Sequence, residues 1–219
     1  IDDLTAAGFE VLTTTVAQEQ LENFINAENI VALLVRSATT VRQDLIDACP
    51  GLKIIGRGGV GMDNIDVEYA REKGLSVINT PAASSESVAE LVFAHLFSGV
   101  RFLYDSNKTM PLEGESKFKN LKKAYAKGTE LRGKTLGVIG FGRIGQATAK
   151  MALGLGMKVI AFDPFLEKTT LSLSFYDGQT VDFEIKTVSK EAVLKESDFI
   201  TLHVPAQKDF VIGKPEFDL

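Results

Sequence analysis

The sequence predicts an α/β protein of two domains, each built on a parallel sheet. Short apolar runs typical of buried strands alternate with helical patterns in the first third of the chain and again after residue 134. Strands that alternate with helices form parallel sheets with helices on their faces. A long helical pattern and a segment rich in lysine and glycine separate the two alternating regions. We therefore expect a domain boundary near Pro81.

The first domain is predicted over residues 1–81. Its strands are predicted at residues 31–35, 52–56 and 75–79, and its helices at residues 21–26, 41–48 and 66–73. Thr40 is placed to cap the second of these helices, and Gly74 is suited to end the third. We also expect a strand upstream of Ile1, so this domain is predicted to be incomplete.

The second domain is predicted over residues 82–219 and is also expected to be incomplete. It begins with a helix at about residues 84–104, which we expect to serve as the hinge between the domains. Its other elements are a strand at 135–139, a helix at 143–155 that Gly156 ends, and a strand at 157–162. Residues 171–186 alternate in polarity around Tyr176-Asp177-Gly178-Gln179, which predicts a hairpin with a type I′ turn.

A glycine motif joins the strand 135–139 to the helix that follows it. Gly140, Gly142 and Gly145 form the pattern GxGxxG, and Asp163 follows eighteen residues after Gly145 at the end of the next strand. The first glycine allows a tight turn, the second lets a pyrophosphate approach the backbone, and the third lets helix and strand pack closely. The helix amino terminus favours a negative pyrophosphate, and Arg143 adds a positive charge. This combination predicts a Rossmann dinucleotide-binding domain.

Asp163 also indicates which nicotinamide cofactor binds. Its carboxylate can accept hydrogen bonds from both hydroxyls of the adenosine ribose and would repel a 2′-phosphate, so the sequence predicts NAD rather than NADP. The alternative is that the glycines form a purely structural turn in an α/β protein and that Arg143 is a solvated surface residue.

A second group of residues follows the three strands of the first domain. Because the carboxyl ends of parallel strands meet at one edge, where open α/β sheets bind ligands, we expect a small-anion site there. Arginine side chains and glycine turns with free amides bind carboxylate or phosphate. The candidates are Arg36, Ser37, Arg57, Gly58, Gly59 and Asn79. Two alternatives remain: the arginines pair with Asp63 or Asp66, and Asn79 caps a turn before Pro81.

The composition indicates which kinds of partner and which cell compartment suit this protein. The 219 residues carry a net charge of −5, which disfavours nucleic-acid binding and means that an anionic ligand needs a local positive site. The single cysteine, Cys49, excludes an internal disulfide and fits a reducing cytoplasm. No apolar run reaches the ~18 residues that span a bilayer. We expect a cytoplasmic protein with no membrane partner and no metal site.

Several motifs resemble one enzyme family. Residues 56–66 read GRGGVGMDNID, residues 137–145 read GVIGFGRIG, and shorter matches lie at 35–39, 87–90 and 202–205. These segments resemble signatures of the D-isomer-specific 2-hydroxyacid dehydrogenases, and within them the D-3-phosphoglycerate dehydrogenase branch. The resemblance covers nearly the whole chain.

The resemblance implies a flavodoxin-like substrate domain, a Rossmann domain and a cleft between them. It implies NAD-dependent oxidation of a D-2-hydroxyacid, namely 3-phosphoglycerate to 3-phosphohydroxypyruvate in serine biosynthesis, by a homodimer or higher homo-oligomer. Gly58 and Gly59 would bind the substrate carboxylate, and Arg36 and Arg57 would hold its anionic groups. The remaining implied contacts are Val60 with nicotinamide, Arg143 and Ile144 with pyrophosphate, Asp163 with ribose, His203, Val204 and Pro205 on the adenosine side, and Asn79 and Ser87 in the cleft.

The resemblance also implies where the catalytic residues lie. The family's catalytic arginine, glutamate and histidine follow the Leu-His-x-Pro motif, so we expect all three beyond Leu219 and none within residues 1–219. His95 and His203 do not match the catalytic histidine by motif, and we expect this polypeptide alone to be inactive. The competing functions are a non-catalytic NAD-sensing or corepressor module of the same fold, and an α/β dehydrogenase with a different substrate placement.

Overall fold

The computed structural model describes residues 1–205 and 207–219. The chain divides into two compact units, which we call the first unit, Ile1–Ala83, and the second unit, Ser84–Leu219. The boundary lies two residues after Pro81. Each unit has its own apolar core, and each contains a parallel sheet, which confirms the predicted α/β class.

The first unit is a three-stranded parallel sheet in the order β1-β2-β3, with helices between the strands. Val35 and Ile55 project from the sheet into the core with exposures of 5% and 0%, as alternation along a strand requires. The elements are α1 (Asp2–Ala6), a 3₁₀ turn (Gln18–Gln20), α2 (Leu21–Ala27), β1 (Ala32–Val35), α3 (Gln43–Ala48), β2 (Ile54–Arg57), α4 (Val67–Glu72) and β3 (Ser76–Asn79).

One helix of the first unit begins later than predicted. We expected a helix from residue 41 with Thr40 as its cap, but α3 begins at Gln43 and no side chain caps it. Val41 is instead paired with Ile65 in an isolated parallel bridge, and its N–H donates to the carbonyl oxygen of Asn64 at 2.8 Å. A residue engaged in this pairing cannot start the helix. Gly74 has φ +85° directly after α4 and its cap, as expected.

The second unit is also built on a three-stranded parallel sheet, in the order β5-β4-β8, with an antiparallel hairpin beside it. β4 is the central strand, and its last four residues are buried. The elements are α5 (Ser85–Val100), α6 (Leu103–Tyr125), β4 (Thr135–Ile139), α7 (Arg143–Gly154), β5 (Lys158–Phe162), β6 (Lys168–Ser174), β7 (Thr180–Lys186), α8 (Lys190–Glu196), β8 (Phe199–Leu202) and α9 (Lys214–Phe217).

The predicted hinge helix at residues 84–104 is wrong at its carboxyl end. α5 ends at Val100, because Phe102 has a left-handed backbone with φ +53° that interrupts the helical hydrogen bonds. A second helix, α6, then runs from Leu103 to Tyr125, with Pro111 inside it and non-helical dihedral angles at Lys117. This second helix was not predicted.

The hairpin is present, but its turn is not type I′. β6 and β7 pair in antiparallel register from Lys168–Lys186 to Ser174–Thr180. Five residues, 175–179, connect the strands, and hydrogen bonds from the Gly178 N–H to the Phe175 carbonyl at 3.0 Å and from the Phe175 N–H to the Gln179 carbonyl at 2.8 Å close this loop. A type I′ turn needs two consecutive residues with positive φ, whereas here Gly178 has it and Asp177 does not.

The described parts of the chain contain neither a membrane-spanning helix nor a cluster of metal-binding side chains. Within residues 1–205 and 207–219, no helix has both the length and the apolar character that crossing a bilayer requires. In the same residues, no group of three histidine, cysteine, aspartate or glutamate side chains lies close enough together to bind a metal ion.

Candidate functional site

The glycine turn of the second unit leaves the carboxyl end of the central strand β4. Gly140 has φ +90°, a backbone conformation that favours glycine. A Cβ atom at this residue would lie 2.5 Å from the His203 carbonyl oxygen and 2.7 Å from Val204 Cγ1. A Cβ atom at Gly145 would overlap the Gly140 carbonyl oxygen. The packing of the turn itself therefore requires these two glycines.

Gly142 differs from the other two glycines of the motif. A Cβ atom there would have no heavy atom within 4 Å, so the space above this residue is open. The fold does not need a glycine at this position, but a group that approaches the backbone closely does. The structure therefore contains the feature that the sequence pattern attributes to pyrophosphate binding.

The amino terminus of α7 faces this turn. Gly142 precedes the helix without any side-chain cap, and the first hydrogen bond of the helix runs from the Gln146 N–H to the Gly142 carbonyl at 2.9 Å. The N–H groups of Arg143, Ile144 and Gly145 come before it and have no acceptor within the helix. Together with the helix dipole they form a site for an anion, and the exposed Arg143 side chain adds a positive charge.

Asp163 lies at the end of β5, beside the glycine turn. Its Oδ2 atom accepts a hydrogen bond from the Phe141 N–H at 2.8 Å, and its Oδ1 atom accepts one from the Phe165 N–H at 2.9 Å. Each carboxylate oxygen can accept a second hydrogen bond. The half-buried carboxylate therefore holds the turn in place and still has acceptor capacity for a sugar hydroxyl.

The segment after β8 borders the same turn. The His203 N–H donates to the Ile139 carbonyl at 2.8 Å, which brings Val204 next to Gly140. The His203 Nε2 atom lies 3.0 Å from Thr201 Oγ1 and 3.3 Å from Thr148 Oγ1. Burial lowers the pKa of His203, so the neutral ring is favoured. This ring links β8 to α7, whereas His95 is exposed on α5.

The candidate anion residues of the first unit meet at one edge of the sheet. Val35, Arg57 and Asn79 are register partners on the three strands, so the segments that follow them leave the same edge. The Gly58 N–H donates to the Val35 carbonyl at 2.9 Å, and the Gly59 N–H donates to the Arg57 carbonyl at 3.0 Å. The expectation that these two amides are free is therefore wrong, because the Gly58 amide extends the pairing with β1.

Two arginine side chains also lie at this edge. The Arg57 guanidinium lies over Gly59, where a Cβ atom would overlap it, and its Nε atom is buried without a partner among the described residues. Within the described ranges, neither Arg36 nor Arg57 forms an ion pair. Asp66 instead pairs with Arg42 at 2.8 Å. The alternative in which loop carboxylates neutralise the two candidate arginines is not observed.

Two asparagines shape the loops of the first unit. The Asn79 Nδ2 atom donates to the Val60 carbonyl at 2.7 Å, so this side chain fixes the glycine turn and does not cap a turn before Pro81. Sequence reasoning missed Asn64, whose buried Nδ2 atom donates to carbonyl oxygens in the loop after β1. Asn64 itself lies in the loop after β2, and its place within the segment GRGGVGMDNID was the available signal.

For four predicted site residues, the structure shows where they lie but does not test their role. Ser37 and Val60 are exposed on loops of the first unit, Ser87 is exposed on the first turn of α5, and Pro205 is exposed after β8. The roles predicted for these four residues stay predictions.

Comparison with known proteins decides the family. A model of the catalytic domain of D-isomer specific 2-hydroxyacid dehydrogenases matches residues 2–202. The chain belongs to this family. The glycine turn, the acidic residue after β5 and the arginines of the first unit are therefore parts of a chain of this family.

Two curated relatives carry different substrate names. The hydroxypyruvate reductase of Thermotoga maritima is 46% identical over 196 residues, which cover 90% of this chain and 58% of that protein. The D-3-phosphoglycerate dehydrogenase of Methanocaldococcus jannaschii is 41% identical over 212 residues, covering 96% of this chain and 37% of that protein. The chain thus spans about two fifths to three fifths of the length of these relatives.

One solved structure of similar fold contains NADPH, whereas the sequence predicts NAD. An acyclic imino acid reductase, solved in complex with NADPH and D-Arg, superposes with a TM-score of 0.71 at 28% identity, covering 94% of this chain and 61% of that one. Membership in the fold group does not by itself distinguish NAD from NADP, so the local residues must decide it.

Proposed function

We propose that this chain binds NAD and a small anionic D-2-hydroxyacid, as part of an enzyme that oxidises the hydroxyl of that acid. The observation that carries the proposal is the second unit's turn, where an open glycine precedes an uncapped helix amino terminus beside a strand-end carboxylate. These are the features that a dinucleotide pyrophosphate and its ribose require. Bound NAD would accept a hydride from the carbon that carries the hydroxyl.

Different residues of the turn would bind different parts of the cofactor. The N–H groups of Arg143, Ile144 and Gly145 would hold the pyrophosphate, because they lack acceptors within α7. Asp163 would accept hydrogen bonds from the adenosine ribose. A 2′-phosphate next to this carboxylate would be repelled, and the nearby Arg143 is a single cation, so we propose NAD over NADP.

The first unit would hold the substrate. Arg36 and Arg57 emerge at the same sheet edge without ion pairs among the described residues, so two cations are available to a ligand. Binding an anion to a chain with a net charge of −5 needs such a local site. Two arginines match the two anionic groups of 3-phosphoglycerate better than the single carboxylate of glycerate or hydroxypyruvate. We therefore propose oxidation of 3-phosphoglycerate to 3-phosphohydroxypyruvate, a step of serine biosynthesis.

A substrate comparison with the full-length protein tests this proposal. We expect NADH to form when NAD and 3-phosphoglycerate are added, with a kcat/KM at least about tenfold higher than with D-glycerate, because a second charged contact is worth more than about 1.4 kcal/mol. A preference for glycerate would contradict the phosphoglycerate assignment. NADH binding without oxidation of any hydroxyacid would contradict the proposed enzymatic activity and favour an NAD-sensing module.

A further inference from the structure

Among the described residues of the first unit, Asn64 is the buried polar side chain that joins the loops following β1 and β2. It lies in the loop after β2, is 5% exposed, and its Nδ2 atom donates to the carbonyl oxygens of Arg36 at 3.0 Å and Thr39 at 2.6 Å. Both acceptors belong to the loop after β1. The side chain therefore fixes the backbone of Arg36 relative to the loop that follows Arg57.

Other hydrogen bonds also connect the two loops. Farther along, they run from the Val41 N–H to the Asn64 carbonyl at 2.8 Å and from the Asp66 N–H to the Val41 carbonyl at 2.9 Å, and just before Arg36 the Gly58 N–H donates to the Val35 carbonyl at 2.9 Å. The Asn64 amide adds the bond from the loop after β2 that reaches the Arg36 carbonyl itself. A primary amide suits this position, because it offers two N–H donors to two carbonyl oxygens.

We propose that Asn64 is a positioning residue for the anion site of the first unit. The inference rests on the proposed function, since it assigns to Arg36 a place among the substrate's ligands. Arg36 is exposed, and its long side chain loses conformational freedom when it binds an anion. Holding its backbone in place reduces the freedom that binding must remove, and the affinity for the anion rises accordingly.

Three variants separate this role from a general contribution to folding. Asn64→Ala removes both donors, and Asn64→Asp places a carboxylate against the two carbonyl oxygens. Asn26→Ala is the matched control, because the Asn26 Nδ2 atom also donates to a carbonyl of the first unit, that of Ala48 at 3.0 Å, away from the arginines. Asn64→Ser, which keeps one donor, replaces either Asn64 variant that fails to fold.

Calorimetric titration of the chain with 3-phosphoglycerate, in the presence of NADH, gives the readout. We expect the Asn64 variants to bind 3-phosphoglycerate about tenfold more weakly, with NADH affinity within about twofold of wild type, because only the first-unit loop is altered. Asn26→Ala should leave both affinities unchanged. In an Arg36→Ala background, Asn64→Ala should weaken 3-phosphoglycerate binding by less than about twofold more, since the two residues act as a unit.

The outcomes separate the two proposals. Unchanged 3-phosphoglycerate affinity in the Asn64 variants, or an Asn64 effect that is fully additive with Arg36→Ala, would overturn the positioning role and leave the proposed function intact. A wild-type chain that binds NADH but no hydroxyacid anion would overturn the proposed substrate, and the positioning role with it.

Discussion

The two glycine turns occupy the same topological position and meet an anion in different ways. Each follows the central strand of a three-stranded parallel sheet, β2 in the first unit and β4 in the second. In the second unit α7 begins at Arg143, directly after the turn, so backbone amides and the helix dipole would face an anion bound there. In the first unit α4 begins only at Val67, well after the turn, and the amides of Gly58 and Gly59 are already bonded.

This difference shows which part of each turn is sensitive to substitution. The second unit's site depends on the absence of side chains at its glycines, whereas the first unit's site depends on the presence of charged side chains, Arg36 and Arg57. Substitutions that add atoms should therefore damage the second site most, and substitutions that remove charge should damage the first. The following predictions test that contrast, from the largest expected effect to the smallest.

The largest effect is expected at Gly145. In Gly145→Val the new atoms overlap the Gly140 carbonyl, so we expect the free energy of unfolding of the second unit to fall by about 3 kcal/mol and NADH binding to be lost. Gly142→Ala is the matched control, because its Cβ atom meets open space. It should change stability by less than about 0.5 kcal/mol and still weaken NADH binding, since it fills the space left for the ligand. Urea denaturation and NADH titration distinguish the two variants, and equal stability losses would contradict this account.

Removal of charge should act on the first unit. Arg57→Ala is expected to weaken 3-phosphoglycerate binding by roughly 10- to 100-fold, the value of one charge-assisted contact, and to leave NADH affinity unchanged. Arg42→Ala is the control, because Arg42 is engaged in a half-exposed ion pair with Asp66 and should have little effect on either ligand. Calorimetry with each ligand measures both affinities. Equal losses in the two arginine variants would mean that the anion site is misplaced.

Asp163 tests the cofactor selection of the second unit. Asp163→Ala should weaken NADH binding by about tenfold, because it removes a ribose acceptor and releases the Phe141 N–H of the turn. NADPH binding should weaken less or improve, since the repulsion of the 2′-phosphate is also removed. Fluorescence titration with both nucleotides gives the ratio. If the ratio of the two affinities does not change, Asp163 does not contact the ribose.

The smallest effect concerns the pH dependence of the second unit. Burial lowers the pKa of His203 below its ordinary value of 6.5, so the unfolded chain binds this proton more readily than the folded one. The resulting loss of stability should develop as the pH falls below that value. His203→Gln, which keeps a donor toward Thr148, should lose stability less steeply between about pH 7.5 and about pH 5.5. The midpoints of urea denaturation at these two pH values measure the difference. If the variant and the wild type lose the same stability between them, His203 is excluded as the source.

Sequence patterns predicted those parts of the fold that rest on local signals. The strands are short apolar runs, and the glycine turn and its acid follow from fixed spacings, so β4, α7 and Asp163 lie where they were expected. α6 was missed because none of its residues is buried and Pro111 and Gly114 interrupt its pattern. A largely polar helix that buries none of its residues gives only a weak signal in the sequence.

The remaining differences depend on contacts between residues far apart in the chain. The late start of α3 results from the pairing of Val41 with Ile65, and the engaged Gly58 amide results from pairing with Val35. The role of Asn64 depends on acceptors at least 25 residues away. No local propensity encodes such contacts, so the sequence placed Arg36 and Arg57 at one edge of the sheet but did not predict the bonds that shape the loops around them.

Titration of the folded chain with NADH tests the central claim most directly, namely that the turn between β4 and α7 binds a nicotinamide dinucleotide. The account predicts saturable binding of one NADH per chain, abolished in Gly145→Val and weakened in Gly142→Ala although that variant remains folded. Absence of binding by the folded wild-type chain, or unchanged binding by Gly142→Ala, would contradict it.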